Sequence, residues 1–185
     1  MDAVTAAFEA FPRTGFLPRS QRRSASFDGP LSIGHGQTNS QPRTVEAMLR
    51  LLAVEPGQRV LDVGSGSGWT TALLAHLTGP SGEVLGVEIE ADLVRFGGDN
   101  LAATHQPWAS IHQAVPGVLG LPDRAPYDRI LVSAEPRTLP DELSSQLCVG
   151  GRMVIPVYGT MLAVVREEDG VEVTRHGGYR FVPLR

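Results

Sequence analysis

The chain has 185 residues, 42% of them hydrophobic, which is enough for one well-buried domain and short for two. No apolar run reaches the length of a membrane span, and the N-terminus lacks a charged-then-apolar signal pattern, so a cytoplasmic location without membrane contact is expected. A net charge of −4 argues against nucleic-acid partners, and a single cysteine excludes an internal disulfide and a cysteine metal site; no metal is expected.

Val4 to Phe11 reads as a short amphipathic helix ended by Pro12, followed by a surface connection through Phe16, Pro18 and residues 19–26. Asp28 to Pro42 is too rich in glycine and proline to be regular, yet Leu31 and Ile33 are placed to anchor it. Long ordered loops of this kind are more often functional than mere connectors. A helix follows Pro42, with Val45, Met48, Leu49 and Leu52 on one face, and Glu55-Pro56-Gly57 ends it. Strands are expected at Val60–Val63, Glu83–Glu88, Ala109–Ala114, Tyr127–Ser133 and Gly150–Pro156, the last entered through a helix-ending glycine. Helices are expected from Trp69, around Ala91–Thr104 and over Leu139–Leu147, with Cys148 a small core residue at the last helix end. All sixteen basic residues are arginines, expected mostly on the solvated surface.

This alternation predicts an α/β fold with a doubly wound, mostly parallel sheet. Met161–Arg166 and Val171–Leu184, joined across Glu168-Asp169-Gly170, are expected to add antiparallel strands at its edge. One domain covers 1–185: residues 1–42 carry the first helix and the loop, 43–160 the core, and 161–185 the closing strands.

The stretch Gln58 to Trp69, Q-R-V-L-D-V-G-S-G-S-G-W, reads as a buried strand, a turn without side chains and a helix start. Such a turn lets a ligand lie on bare backbone, facing the free N–H groups of the helix start. Dinucleotide enzymes favour G-x-G-x-x-G; here Gly64, Gly66 and Gly68 are spaced G-x-G-x-G, with Asp62 upstream. A carboxylate there suits an ammonium-bearing ligand and repels a diphosphate, which disfavours a nicotinamide oxidoreductase. Glu88, at the end of the next strand, is placed to accept hydrogen bonds from ribose hydroxyls. A tight turn with no ligand remains the alternative.

The glycine turn resembles the first motif of S-adenosylmethionine-dependent methyltransferases, whose fold is the Rossmann-like sheet predicted above. Four further segments narrow the resemblance: Asp28–Pro42 with its Gly-x-Gly-Gln-Thr-x-Ser loop, Ala125–Ile130, Gln146–Val157 and the closing Phe181-Val182-Pro183-Leu184. Together with Ala7–Arg13 they are similar, in order, to protein-L-isoaspartate O-methyltransferases. That resemblance implies transfer of the methyl group of S-adenosyl-L-methionine to an isoaspartyl carboxylate in a peptide or protein, as in protein repair, by a monomer.

A carboxylate with an ordinary pKa near ~4 is already ionised at neutral pH, so this chemistry needs no general base. It needs alignment and removal of water, with a hydroxyl to orient the carboxylate. By resemblance Ser40 supplies that hydroxyl, Gln37 and Thr38 stand beside the acceptor, and His35 has only a structural role. Asp62, Gly64, Ser65, Gly66, Gly68, Glu88 and Ile89 would hold the cofactor. The competing reading is that Ser40 or Gln41 merely caps the helix after Pro42.

Three departures from the family stand out. Val115-Pro116-Gly117 replaces a Gly-Asp-Gly that receives the adenine amino group, so altered adenosine binding is expected, with Val115 and Leu119 packing on the ring. Glu135 lies after the fourth strand, where a carboxylate would repel an isoaspartyl acceptor. Asn39, in place of an apolar residue, points the same way. The alternatives are therefore a diverged methyltransferase with another carboxylate, peptide or small-molecule acceptor, or a non-catalytic nucleotide-binding remnant.

Overall fold

The computed structural model describes residues 2–185. Its sheet is wound outward from β3 (Arg59–Val63), whose side chains alternate between the two faces of the sheet. Val60 packs toward α2 (Pro42–Leu52) and α3 (Trp69–Thr78), whereas Leu61 and Val63 pack on the opposite face with Tyr127, Ile130, Met153 and Ile155. The same period puts Asp62 on the α3 side. On one flank β3 pairs in parallel with β4 (Glu83–Glu88), which pairs with β5 (Ala109–Gln113). On the other it pairs in parallel with β6 (Tyr127–Val132), which leads to β7 (Leu147–Val157).

Two antiparallel strands, β8 (Thr160–Glu167) and β9 (Gly170–Gly178), complete the order β5-β4-β3-β6-β7-β8-β9. The winding reverses at β3, so a crevice opens beyond the C-terminal ends of β3, β4 and β6. This is the doubly wound sheet with antiparallel closing strands expected from the sequence.

Several local expectations are corrected. The segment after α1 (Ala3–Ala10) is a surface connection only in part: it forms two 3-10 turns, and Arg13, Phe16 and Leu17 are buried while residues 19–26 are not. The glycine-rich stretch is regular after all, a hairpin of β1 (Leu31–Gly34) and β2 (Gln37–Asn39). Leu31 and Ile33 do anchor it, against Leu17 and the Leu93 of α4 (Ala91–Ala102).

Helix α2 stops at Ala53, in a left-handed conformation, before Glu55-Pro56-Gly57 is reached. The predicted helix over 139–147 shrinks to α5 (Asp141–Ser144), and Cys148 lies half-buried on β7. Gly150 is not a helix stop but part of a bulge: Tyr127 faces Leu147 while Arg129 faces Arg152, so two steps along β6 match five along β7. Among the described residues, no helix is long and apolar enough to cross a membrane.

Candidate active site

The crevice is an open cleft of about 870 Å³, counting the solvent space at its mouth. Its floor is the glycine turn with Val63, Val87, Glu88, Ile89, Ser133 and Ala134; the hairpin contributes Ile33 and Gln37 to Ser40. Ala114, Val118, Leu119 and Gly120 form a third side, and Val182 to Arg185 a fourth.

The turn is tightly folded. Gly64, Gly66 and Gly68 all have positive φ, which side-chain-bearing residues rarely adopt. A Cβ on Gly68 would also lie 2.7 Å from the carbonyl oxygen of Gly97 in α4. The turn's amides are less free than the sequence suggested. Gly64 and Ser65 N–H donate to the Val87 carbonyl, Gly66 N–H to Glu88 Oε2 at 2.9 Å, and Gly68 N–H to the Ser65 carbonyl. Glu88 Oε1 accepts from the Glu90 amide at 2.9 Å, so this carboxylate pins the end of β4 to the turn while lining the cleft.

Asp62 stands beneath the turn rather than at its mouth. It is fully buried, and its Oδ2 accepts from the hydroxyls of Thr70 and Thr71, both at 2.7 Å. Burial, followed by the nearby Glu88 charge, pushes its pKa up to about 6 against the pull of the two threonines. Asp62 Oδ1 and Ser65 Oγ are buried without a hydrogen-bond partner. Thr70 and Ser65 line the cleft, whereas Asp62, predicted to do so, lies beneath its floor with one oxygen free. Two carboxylates, no cationic cluster on the floor and backbone stripped of side chains fit an adenosyl cofactor ending in an ammonium group, and would disfavour a diphosphate.

Across the cleft, Gln37, Thr38, Asn39 and Ser40 present the hairpin's second strand and exit. Ser40 is not a cap: the residue preceding α2 is Gln41, and no side chain there bonds a helix amide. The first-turn Arg43 amide is instead served by Asp28 Oδ1 at 3.2 Å. Ser40 lines the cleft, and its carbonyl accepts from Arg13 Nη2 at 2.9 Å. His35, at the hairpin tip, pairs with Asp92 at 3.1 Å and lies outside the cleft lining, as a structural role requires.

Two predicted contacts fall elsewhere. Val115, Pro116 and Gly117 are exposed and do not line the cleft; the loop touches it through Ala114 and then Val118 to Gly120. Glu135 also misses the lining, because its carboxylate is engaged elsewhere: Oε1 accepts from Gly159 N–H, in the turn between β7 and β8, at 2.8 Å and Oε2 from Phe181 N–H, near the C-terminus, at 3.1 Å. Asn39 is buried at the edge of the cleft, with its amide bonded to Arg13 and Ser67. Sequence reasoning missed the wall of Val182 to Arg185 and the buried Arg13. The Phe181-to-Leu184 and Ala7-to-Arg13 motifs marked both segments without saying what they do.

The sheet order and the carboxylate-bearing glycine cleft at its switch point define an S-adenosylmethionine-dependent methyltransferase. Residues 1–185 match the family model of protein-L-isoaspartate(D-aspartate) O-methyltransferase. The chain is 43% identical to the protein-L-isoaspartate O-methyltransferase of Methanothrix thermoacetophila, over 99% of this chain and 88% of that one. It is 42% identical to that of Methanopyrus kandleri, over 98% and 82%. A crystal structure of a protein-L-isoaspartate O-methyltransferase from Plasmodium falciparum, in complex with S-adenosyl-L-homocysteine, superposes with a TM-score of 0.89. That likeness covers 100% of this chain and 91% of that one at 27% identity. The chain belongs to the protein-L-isoaspartate O-methyltransferase family.

Proposed function

We propose that this chain methylates the carboxylate of isoaspartyl residues in peptides or proteins, with Ser40 orienting the acceptor. The observation that carries the reading is that Ser40 and the glycine turn, with a carboxylate buried beneath it, line one cleft. When bound, S-adenosylmethionine supplies a methyl group on a positively charged sulfur. Glu88, which lines the cleft, would receive the ribose hydroxyls, and the buried charge of Asp62, acting through Thr70 in the lining, would favour the ammonium end. Ser65, Gly64, Gly66, Gly68 and Ile89 supply the bed beneath it, and Val118 and Leu119 apolar cover.

Ser40 donates to the acceptor carboxylate without neutralising it, so its charge stays available, and Gln37 and Thr38 flank it. Ile33, Leu119 and Leu184 exclude water from the cleft, which strengthens each polar contact inside. The features that favoured drift toward another acceptor or a remnant lose their force, since Glu135 and Pro116 do not line the cleft. The enzyme is read as one domain working as a cytoplasmic monomer without nucleic acid, in keeping with a net charge of −4.

Mass spectrometry on a peptide pair, one isoaspartyl and one aspartyl, tests the proposal. One methyl group is expected on the isoaspartyl member alone. Equal labelling of both, or labelling of neither by protein shown to bind nucleotide, would rule the acceptor out.

A further inference from the structure

The acceptor hairpin and the cofactor turn come from distant stretches of chain, yet methyl transfer requires them to be in register to a fraction of an ångström. One buried polar chain joins them. Arg13 donates from Nε to Asn39 Oδ1 at 2.6 Å, and from Nη2 to the carbonyls of Asn39 at 2.8 Å and Ser40 at 2.9 Å. Nη1 donates to the Phe27 carbonyl and Nη2 is shared with the Gly29 carbonyl at 2.8 Å, which closes the loop in front of the hairpin. Asn39 in turn donates from Nδ2 to Ser67 Oγ at 2.9 Å, inside the glycine turn. Arg13, Asn39 and Ser67 are only 5%, 5% and 3% exposed, so water does not compete for these bonds.

Asparagine is suited to this position because the two ends of its amide do opposite work. The oxygen accepts from a cation that also grips the Ser40 backbone, and the nitrogen donates to a hydroxyl in the cofactor bed. Apolar contact runs alongside: Ile33 Cδ1 lies 3.1 Å from where a Cβ on Gly66 would stand. On its far side Ser67 is held by Asn100 of α4, which donates to the Ser67 carbonyl at 2.9 Å. The turn is thus fixed to the sheet and helices, and the hairpin is fixed to the turn.

We propose that Asn39 is a positioning residue: its bond to Ser67 ties the Ser40 backbone to the cofactor turn, so that nucleotide in the cleft orders the acceptor hairpin. The proposal rests on the reading of this cleft as a methyl-transfer site. Ser67→Ala cuts the link from the turn side and leaves the Arg13–Asn39 grip intact. Hydrogen exchange at residues 31–40 is then followed with and without S-adenosylhomocysteine, beside calorimetric affinity and kcat.

In the parent chain the nucleotide is expected to slow hairpin exchange about tenfold, and in the variant less than ~twofold, the loss of one buried hydrogen bond. Nucleotide affinity should change less than ~threefold while kcat falls about tenfold, a split that general loosening of the fold would not produce. Asn39→Leu, which removes both bonds of the amide, is to show the same loss of coupling. Combining it with Ser67→Ala should add little more. Full nucleotide protection of the hairpin in Ser67→Ala, or in Asn39→Leu should the first variant not fold, overturns the proposal. A parent chain that binds nucleotide and methylates no isoaspartyl peptide would refute the acceptor assignment alone, and the exchange comparison would still decide the link.

Discussion

Asp62→Asn separates what this carboxylate does for the ligand from what it costs the fold. Asp62 is fully buried, one oxygen is served by two threonines and the other by nothing, and its pKa is raised from 3.8 to about 6, by burial first. A carboxyl whose folded pKa exceeds its unfolded value takes up a proton on folding between the two. Its favourable contribution is therefore present below about pH 4, fades as pH rises, and above about pH 6 has become a full cost. At about 1.4 kcal/mol per tenfold change in proton affinity, that cost is roughly 3 kcal/mol as an upper bound.

Urea denaturation without nucleotide, over a series from about pH 4 to about pH 8, reads it directly. The variant is expected to be about 1–3 kcal/mol more stable than the parent at the upper end, the gap closing toward the lower. With S-adenosylhomocysteine the order should reverse, since on the proposed reading the variant lacks the charge that favours the ammonium and binds about 10–100-fold more weakly. A variant no more stable than its parent at the upper end, or a gap that ignores pH, would refute the reasoning.

Ser40→Ala is expected to lower kcat about 10–100-fold, the worth of one hydrogen bond to a charged group, with calorimetric affinity for S-adenosylhomocysteine unchanged. Glu135→Ala strands the Gly159 and Phe181 amides, so the protein should lose about 1–3 kcal/mol in denaturant melts and residues 179–185 should become open to limited proteolysis. Glu135→Gln, retaining one acceptor, should fall between. Pro116→Ala should leave nucleotide affinity within about twofold, because Pro116 is exposed and off the cleft, whereas Leu119→Ala should weaken it about tenfold through lost apolar cover.

The sheet was legible because its signal is local and periodic. Val60, Leu61 and Val63 announce a buried strand, Gly64 to Gly68 a bend no other residue type would adopt, and Val45, Met48, Leu49 and Leu52 one face of a helix. What misled were residues whose partners lie far along the chain. Glu135 reads as an intruding acid until the Gly159 and Phe181 amides, 24 and 46 positions later, are seen to need it.

Arg13 reads as one solvated arginine among sixteen, and only the folded chain brings five acceptors around it. Asp62 was expected at the mouth of the turn and lies in β3 beneath it. Its depth was not legible, because β3 has period two and a sequence does not say which face meets a helix bearing two threonines. Cys148 and Gly150 were misplaced for a related reason: the bulge between β6 and β7 breaks the pattern that strand prediction reads.

The most direct test is a crystal structure with S-adenosylhomocysteine and an isoaspartyl peptide bound together. The account predicts the nucleotide on the glycine turn with its ribose against Glu88, and the peptide carboxylate within hydrogen-bond reach of Ser40 Oγ, facing the sulfur. A carboxylate seated beyond reach of Ser40, or a nucleotide lying off the turn, would contradict it.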